Sequence, residues 1–165
     1  CALPISKHIA TIDGQTFTRN SKSRVYTHCV VAKPSIECAL ARAQSKAARG
    51  LHRSNYRWYQ KAITSEGRLH EQYEYLTDEK YAEQCEYNLA RAVEALAGAQ
   101  SEDEYVSREV SKELERIAAQ DAKGFYDTWD ECGWCGRFDL AQKLAATKRN
   151  HEYYGDVVIL EAVQL

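Results

Sequence analysis

Apolar and polar positions alternate along residues 8–20, where Ile and Thr recur, and residues 24–32 form a second run of β type built on Val25, Tyr26, Val30 and Val31. Period-two patterning rich in β-branched residues predicts two strands. Asn20-Ser21-Lys22-Ser23 between them is turn chemistry, so an antiparallel hairpin is the economical pairing. In the second strand Val25, Thr27, Cys29 and Val31 share one face and Tyr26, His28 and Val30 the other, which places Cys29 in the core.

After Pro34-Ser35 the period changes. Ile36, Leu40, Ala43, Ala47, Leu51, Trp58 and Ala62 recur at steps of three, four or seven, predicting one long helix to about Thr64, capped by Ser35 and loosened at Gly50. Gly67 breaks the chain, and Leu69, Tyr73, Leu76, Cys85, Leu89, Val93 and Leu96 give a second helical stripe that Thr77-Asp78 can restart as a cap. Gly98 closes it. Ser101-Glu102-Asp103-Glu104 is a capping box opening a third helix, lined by Val106, Val110, Leu114 and Ile117 and ended by Gly124. Residues 125–136 read as an aromatic, Cys-rich connection, residues 137–148 as a short helix, and residues 156–163 as a buried strand that joins the hairpin. The expected fold is α+β and predominantly helical. A small antiparallel sheet, made of the N-terminal hairpin and the C-terminal strand, accompanies a long helical hairpin and two further helices in one domain over residues 1–165.

Composition fits that picture: a 44% hydrophobic and 28% charged chain with three Trp is globular rather than disordered. No run reaches the roughly 20 apolar residues of a membrane span. The six Cys are too few for a chain of this length to read as a disulfide-stapled secreted scaffold, so a reducing cytosol is expected. Cys1 invites comparison with lipid-bearing and self-processed N-termini. Removal of an initiator Met is the plainer reading, because Ala2-Leu3-Pro4 lead directly into a strand.

Charge changes the picture most. The first 65 residues carry eleven Lys and Arg against Asp13 and Glu37, while the remainder carries eleven basic and twenty-two acidic residues. The net charge of -2 therefore hides a basic beginning and an acidic continuation, a pattern that suggests one surface seeking polyanions. Arg42, Lys46, Arg49, Arg53, Arg57 and Lys61 follow one another at steps of three or four on the first helix, forming a ridge that can track a phosphate backbone. Tyr56 and Tyr59, with Trp58, lie close enough to stack on bases, and Arg24 adds a cation on the second strand. The competing explanation is a solvated face paired with the acidic helices.

Other chemistry is thinner. Cys132-Gly133-Trp134-Cys135 has the spacing of a zinc or redox pair, but only His151 and a distant Cys85 offer further ligands, so a packed aromatic turn is the simpler reading. Arg24, Tyr26 and His28 form the one set suited to a metal-free nuclease, lacking a second His or a glutamate. Glu102 and Glu104 are explained by capping. No phosphate loop, dinucleotide fingerprint, nucleophile elbow or zincin motif is present, and no cofactor is expected.

Arg24-Val25-Tyr26-Thr27-His28 and Trp134-Cys135-Gly136-Arg137-Phe138-Asp139-Leu140-Ala141 resemble segments of small uncharacterised accessory proteins of bacteriophages and plasmids. That resemblance implies a mobile-element protein in the cytosol of a bacterial host and brings no catalytic residues with it. The expected function is non-enzymatic binding of nucleic acid or of an acidic host-protein surface through the basic helix. The alternatives are an acidic-surfaced polyanion mimic that inhibits a host defence protein, and a small metal-free nuclease. No membrane association is expected, and two long amphipathic helices in a small domain favour a homodimer.

Overall fold

Residues 6–21 fold as a hairpin rather than as a single strand. β1 (Ser6–Ile12) and β2 (Gln15–Ser21) pair antiparallel with Ile12 opposite Gln15, leaving Asp13 and Gly14 as a two-residue turn. Both turn residues hold positive φ, 49° and 78°, as a type I′ turn demands. The computed structural model describes residues 5–69 and 77–165, an α+β chain that divides into two compact units: Cys1–Leu40 with Ile117–Leu165, and Ala41–Arg116.

In the first unit β3 (His28–Pro34) lies between β4 (Asp130–Cys135) and β5 (Tyr154–Glu161), antiparallel to both, while β6 (Val163–Gln164) pairs with β1. Two three-stranded sheets thus replace the single expected sheet. Residues 22–27 carry the chain from β2 to another sheet instead of turning it back, and the C-terminal run serves both, β5 on β3 and β6 on β1. Cys29, Val30, Val31 and Ala32 are each 0% exposed, so β3 is covered on both faces. Cys29 and Val31 pack with Ala10, Phe17 and Trp129, whereas Val30 and Ala32 pack with Val157 and with Ala141 and Ala145 of α5 (Phe138–Arg149).

The hairpin turn grips Trp129: Gln15 bonds its backbone at both ends, Asp13 accepts from its indole N–H at 2.9 Å, and Lys33 Nζ lies 4.8 Å from the ring centroid. Residues 125–136 contain a strand where only a connection was expected. Val30 opposes Gly133 and Val31 opposes Glu131, so Cys132 is the extra residue of a β-bulge. The bulge breaks the period of two, and Cys132 and Cys135, three apart, both pack toward the Val30 cluster.

Beyond α1 (Ile36–Gln44) the expected continuous helix is interrupted at Ser45, whose hydroxyl accepts the Ala48 N–H and caps α2 (Lys46–Thr64), while Gly50 stays inside α2. Thr77 caps α3 (Asp78–Leu96) as its position suggested; Tyr73 and Leu76 of the expected stripe lie outside the described residues. Ser101 Oγ accepts the Glu104 N–H at the start of α4 (Glu102–Asp121), and the Glu104 carboxylate accepts from the Gln100 N–H.

In the second unit Ala62 and Leu69 pack against Ala92, while Tyr56, Tyr59 and Ile63 pack with Leu96, Tyr105 and Val106. The numbering runs oppositely on α2 and on its neighbours, so α3 covers the C-terminal half of α2 and α4 covers the N-terminal half. Arg108 joins the two covering helices, donating to the terminal carbonyls of Ala95 and Ala97 in the orientation the helix dipole favours. Among the described residues no helix is long and apolar enough to cross a membrane.

Gly67 sits where two backbone segments of this unit approach closely. It has a φ of 83°, and a Cβ there would lie 1.9 Å from the Cys85 carbonyl oxygen, whereas one on Gly14 meets nothing within 4 Å. Gly67→Ala should therefore cost more than about 3 kcal/mol from strain and overpacking together, against about 1 kcal/mol for Gly14→Ala, which carries the left-handed term alone. Urea denaturation of both variants checks the difference.

Candidate functional site

Helix α2 contains Lys46, Arg49, Arg53, Arg57 and Lys61 and no acidic residue, and all five cations are exposed. From Lys46 to Lys61 the row extends about 22 Å at roughly 1.5 Å per residue. Arg42 belongs to α1, on the far side of the Ser45 interruption, and is also exposed. The neighbours are acidic: α3 carries five acidic and two basic residues, and α4 seven acidic and three basic.

Those acids engage the middle of the row. Arg57 forks onto Glu102 with Nε and Nη2 at 3.1 and 3.4 Å, and Arg53 reaches Glu102 at 3.5 Å and Asp103 at 3.7 Å. The ridge is thus neutralised in part, at its middle. Arg42, Lys46, Arg49 and Lys61 form no ion pair among the described residues. Two carboxylates against five cations leave the face of α2 net positive. Exposed pairs of this kind are worth at most about 1 kcal/mol each and are readily exchanged for an external anion.

Tyr56 and Tyr59 do not form a stacking platform. Both are half-buried against Tyr105, with ring centroids 5.7 and 6.2 Å away, and burial pushes the Tyr105 phenol above its ordinary value. Trp58 is the aromatic that faces outward, 36% exposed and 5.8 Å from the Arg91 guanidinium. Arg24 lies in the other unit, exposed, with its backbone N–H on Ser21 Oγ.

A cleft of about 570 Å³ opens where the start of α2 faces α4. Ala47, Ala48 and Leu51 give it an apolar floor, and the cations Arg42, Lys112 and Arg116 surround it together with the His52 ring. Its two carboxylates are occupied. Arg116 forks onto Glu113 at 2.6 and 2.8 Å, and Arg108 and Lys112 hold Glu109 at 3.2 and 2.9 Å. The Arg116 hydrogen bonds, reinforced by the charges of Arg42 and His52, hold the Glu113 carboxyl below its ordinary range. At Glu109 burial opposes ionisation, but Lys112 and Arg108 prevail and the carboxyl is again lowered. Sequence reading missed this cleft. Its one legible signal was Lys112 and Arg116, four apart on α4, because the other wall lies some sixty residues earlier.

In the first unit the other candidate sets do not assemble. Tyr26 turns its ring onto His8 at 5.4 Å and lies 6.3 Å from Trp134, under Arg19, whereas His28 bonds Thr27 and packs on Phe138 at 5.2 Å. Tyr26 and His28 thus pack against different aromatic neighbours. Burial raises the thiols of Cys132 and Cys135, and pushes Cys29 up to about 12, which is opposite to the depressed pKa of a redox thiol. Among the described residues no three His, Cys, Asp or Glu side chains are grouped to hold a metal ion.

No protein-family model matches this chain, and neither a curated protein nor a solved structure matches it significantly. The functional reading rests on the geometry of the second unit.

Because the Glu113 carboxyl is lowered in the folded state, its contribution to stability is present above the ordinary glutamate range and disappears as the pH falls below it. The pair is partly exposed, so Glu113→Gln should cost no more than about 0.5 kcal/mol at pH 7. Paired urea titrations at pH 7 and pH 3 should show that difference closing in acid.

Proposed function

We propose that the protein is a non-enzymatic binding protein that captures nucleic acid through the cationic face of α2, and that it serves a mobile genetic element in the bacterial cytosol. One observation carries this reading: a helix of nineteen residues with five exposed cations and no carboxylate, of which Glu102 and Asp103 offset only part. Sequence-independent affinity for nucleic acid comes from such rows, since each phosphate neutralised releases condensed counterions. The resemblance to phage and plasmid accessory proteins supports the cellular setting.

A second reading draws on α3, where Glu79, Glu83 and Glu86 are exposed and unpaired among the described residues. On that reading the acidic helix imitates a polyanion and blocks a host defence protein. Pull-down from a bacterial lysate separates the two, because nuclease treatment removes partners recruited through nucleic acid and spares those held by an acidic surface. The set of Arg24, Tyr26 and His28 gives the nuclease alternative no comparable support.

Fluorescence anisotropy with a labelled oligonucleotide tests the first reading. Lys46→Glu, Arg49→Glu and Lys61→Glu together should weaken binding at least tenfold and flatten its salt dependence by about one unit of slope for each phosphate no longer neutralised. Glu102→Gln should strengthen binding by a few-fold, since it releases Arg57 and leaves Arg53 with Asp103 alone. Unchanged affinity in both variants would refute the assignment.

A further inference from the structure

The cleft beside the start of α2 has a composition that phosphate alone does not require. Phosphate needs cations, and Lys46 and Arg49 supply them on the exposed side of α2 without any partner among the described residues. Ala47, Ala48 and Leu51, interleaved with those cations, face the cleft instead, and Leu51 remains 61% exposed. An exposed apolar floor within reach of uncommitted cations suits a ligand with a flat apolar body and an anionic chain. The planar groups around it, the His52 ring and the Arg42 guanidinium, have the shape to lie on such a body.

We infer that this cleft receives an unpaired base of single-stranded nucleic acid while the flanking phosphates lie on Arg42, Lys46 and Arg49; the inference rests on the polyanion reading above. A duplex cannot satisfy this arrangement, because its bases are stacked and paired inside the helix and only its phosphates reach the protein. A single strand presents both surfaces along one chain. The carboxylates in the cleft do not oppose it. Glu113 is held by Arg116 and Glu109 by Arg108 and Lys112, and Arg42 adds a cation that forms no ion pair among the described residues, so the local balance remains positive. An acidic peptide would find the same cations, but its carboxylates end short side chains with no flat body beside each charge for the apolar floor to hold.

The test compares three labelled probes of equal length on the full chain: a mixed-sequence single strand, the matching duplex, and a single strand whose central nucleotides are abasic. The intact single strand should bind about tenfold more tightly than the other two, the magnitude of one stacked base. Leu51→Asn changes no charge and lies on an exposed position, so it should abolish that preference, bring the single strand to the affinity of the abasic probe, and leave duplex binding unaltered. A thermal melt by circular dichroism confirms that the variant folds. Equal binding of intact and abasic strands, or a Leu51→Asn variant that keeps the preference, overturns the cleft assignment while leaving the polyanion reading in place. Failure of all three probes to bind overturns both.

Discussion

Like charges four residues apart on one helix repel, and α2 carries three such pairs in succession, Arg49 with Arg53, Arg53 with Arg57, and Arg57 with Lys61. No acid within the helix relieves them. The helix is therefore tied to acid-rich neighbours, and the second unit is built around that need. Glu102 and Asp103 open α4, where the positive end of that helix's own dipole already favours carboxylates. The same two residues then sit against the middle of the basic row. One placement thus stabilises the start of α4 and reduces the self-repulsion of α2.

How far the sequence foretold this depends on where the determining signal was local. The capping box at Ser101 and the Thr77 cap were legible because each is a short-range hydrogen-bonding pattern, and both appear at the expected residues. The α+β class was legible from the two periodicities. The Asp13-Gly14 turn was written in residues suited to it, yet the Ile and Thr alternation continues through it and hides it. The partition into two sheets depends on pairings such as His8 with Gln164, which no local pattern specifies. The strand at residues 130–135 was obscured by its own bulge, since an extra residue shifts the alternation by which strands are recognised.

The site was half legible for a related reason. The basic row was evident, because spacing alone places those residues along a helix. Which face of α2 is buried was not. An apolar stripe traced from Ile36 through Ala43 and Ala47 assumes one uninterrupted helix, but Ser45 stops α1 and restarts the helical phase. Within α2 the inward positions are His52, Asn55, Tyr56, Tyr59, Ala62 and Ile63, so Leu51 and Trp58, read as core, emerge at the surface. Tyr56 and Tyr59 exchange places with them and become packing residues around Tyr105. The packing of α2 on α3 and α4 thus decides which aromatic and apolar groups a ligand meets.

Ion pairing also focuses the charge. With Arg53 and Arg57 committed to the start of α4, the uncommitted cations fall into two places, Lys61 at one end of the row and Arg42, Lys46 and Arg49 at the other. The latter group stands around the same turn whose Ala47, Ala48 and Leu51 floor the cleft. The ridge is therefore not uniform along its length. The three cations around the start of α2 thus stand beside the apolar hollow that Ala47, Ala48 and Leu51 floor. A purely solvated basic helix would show no reason for that coincidence, whereas a ligand carrying a negative chain and a flat apolar group would require it.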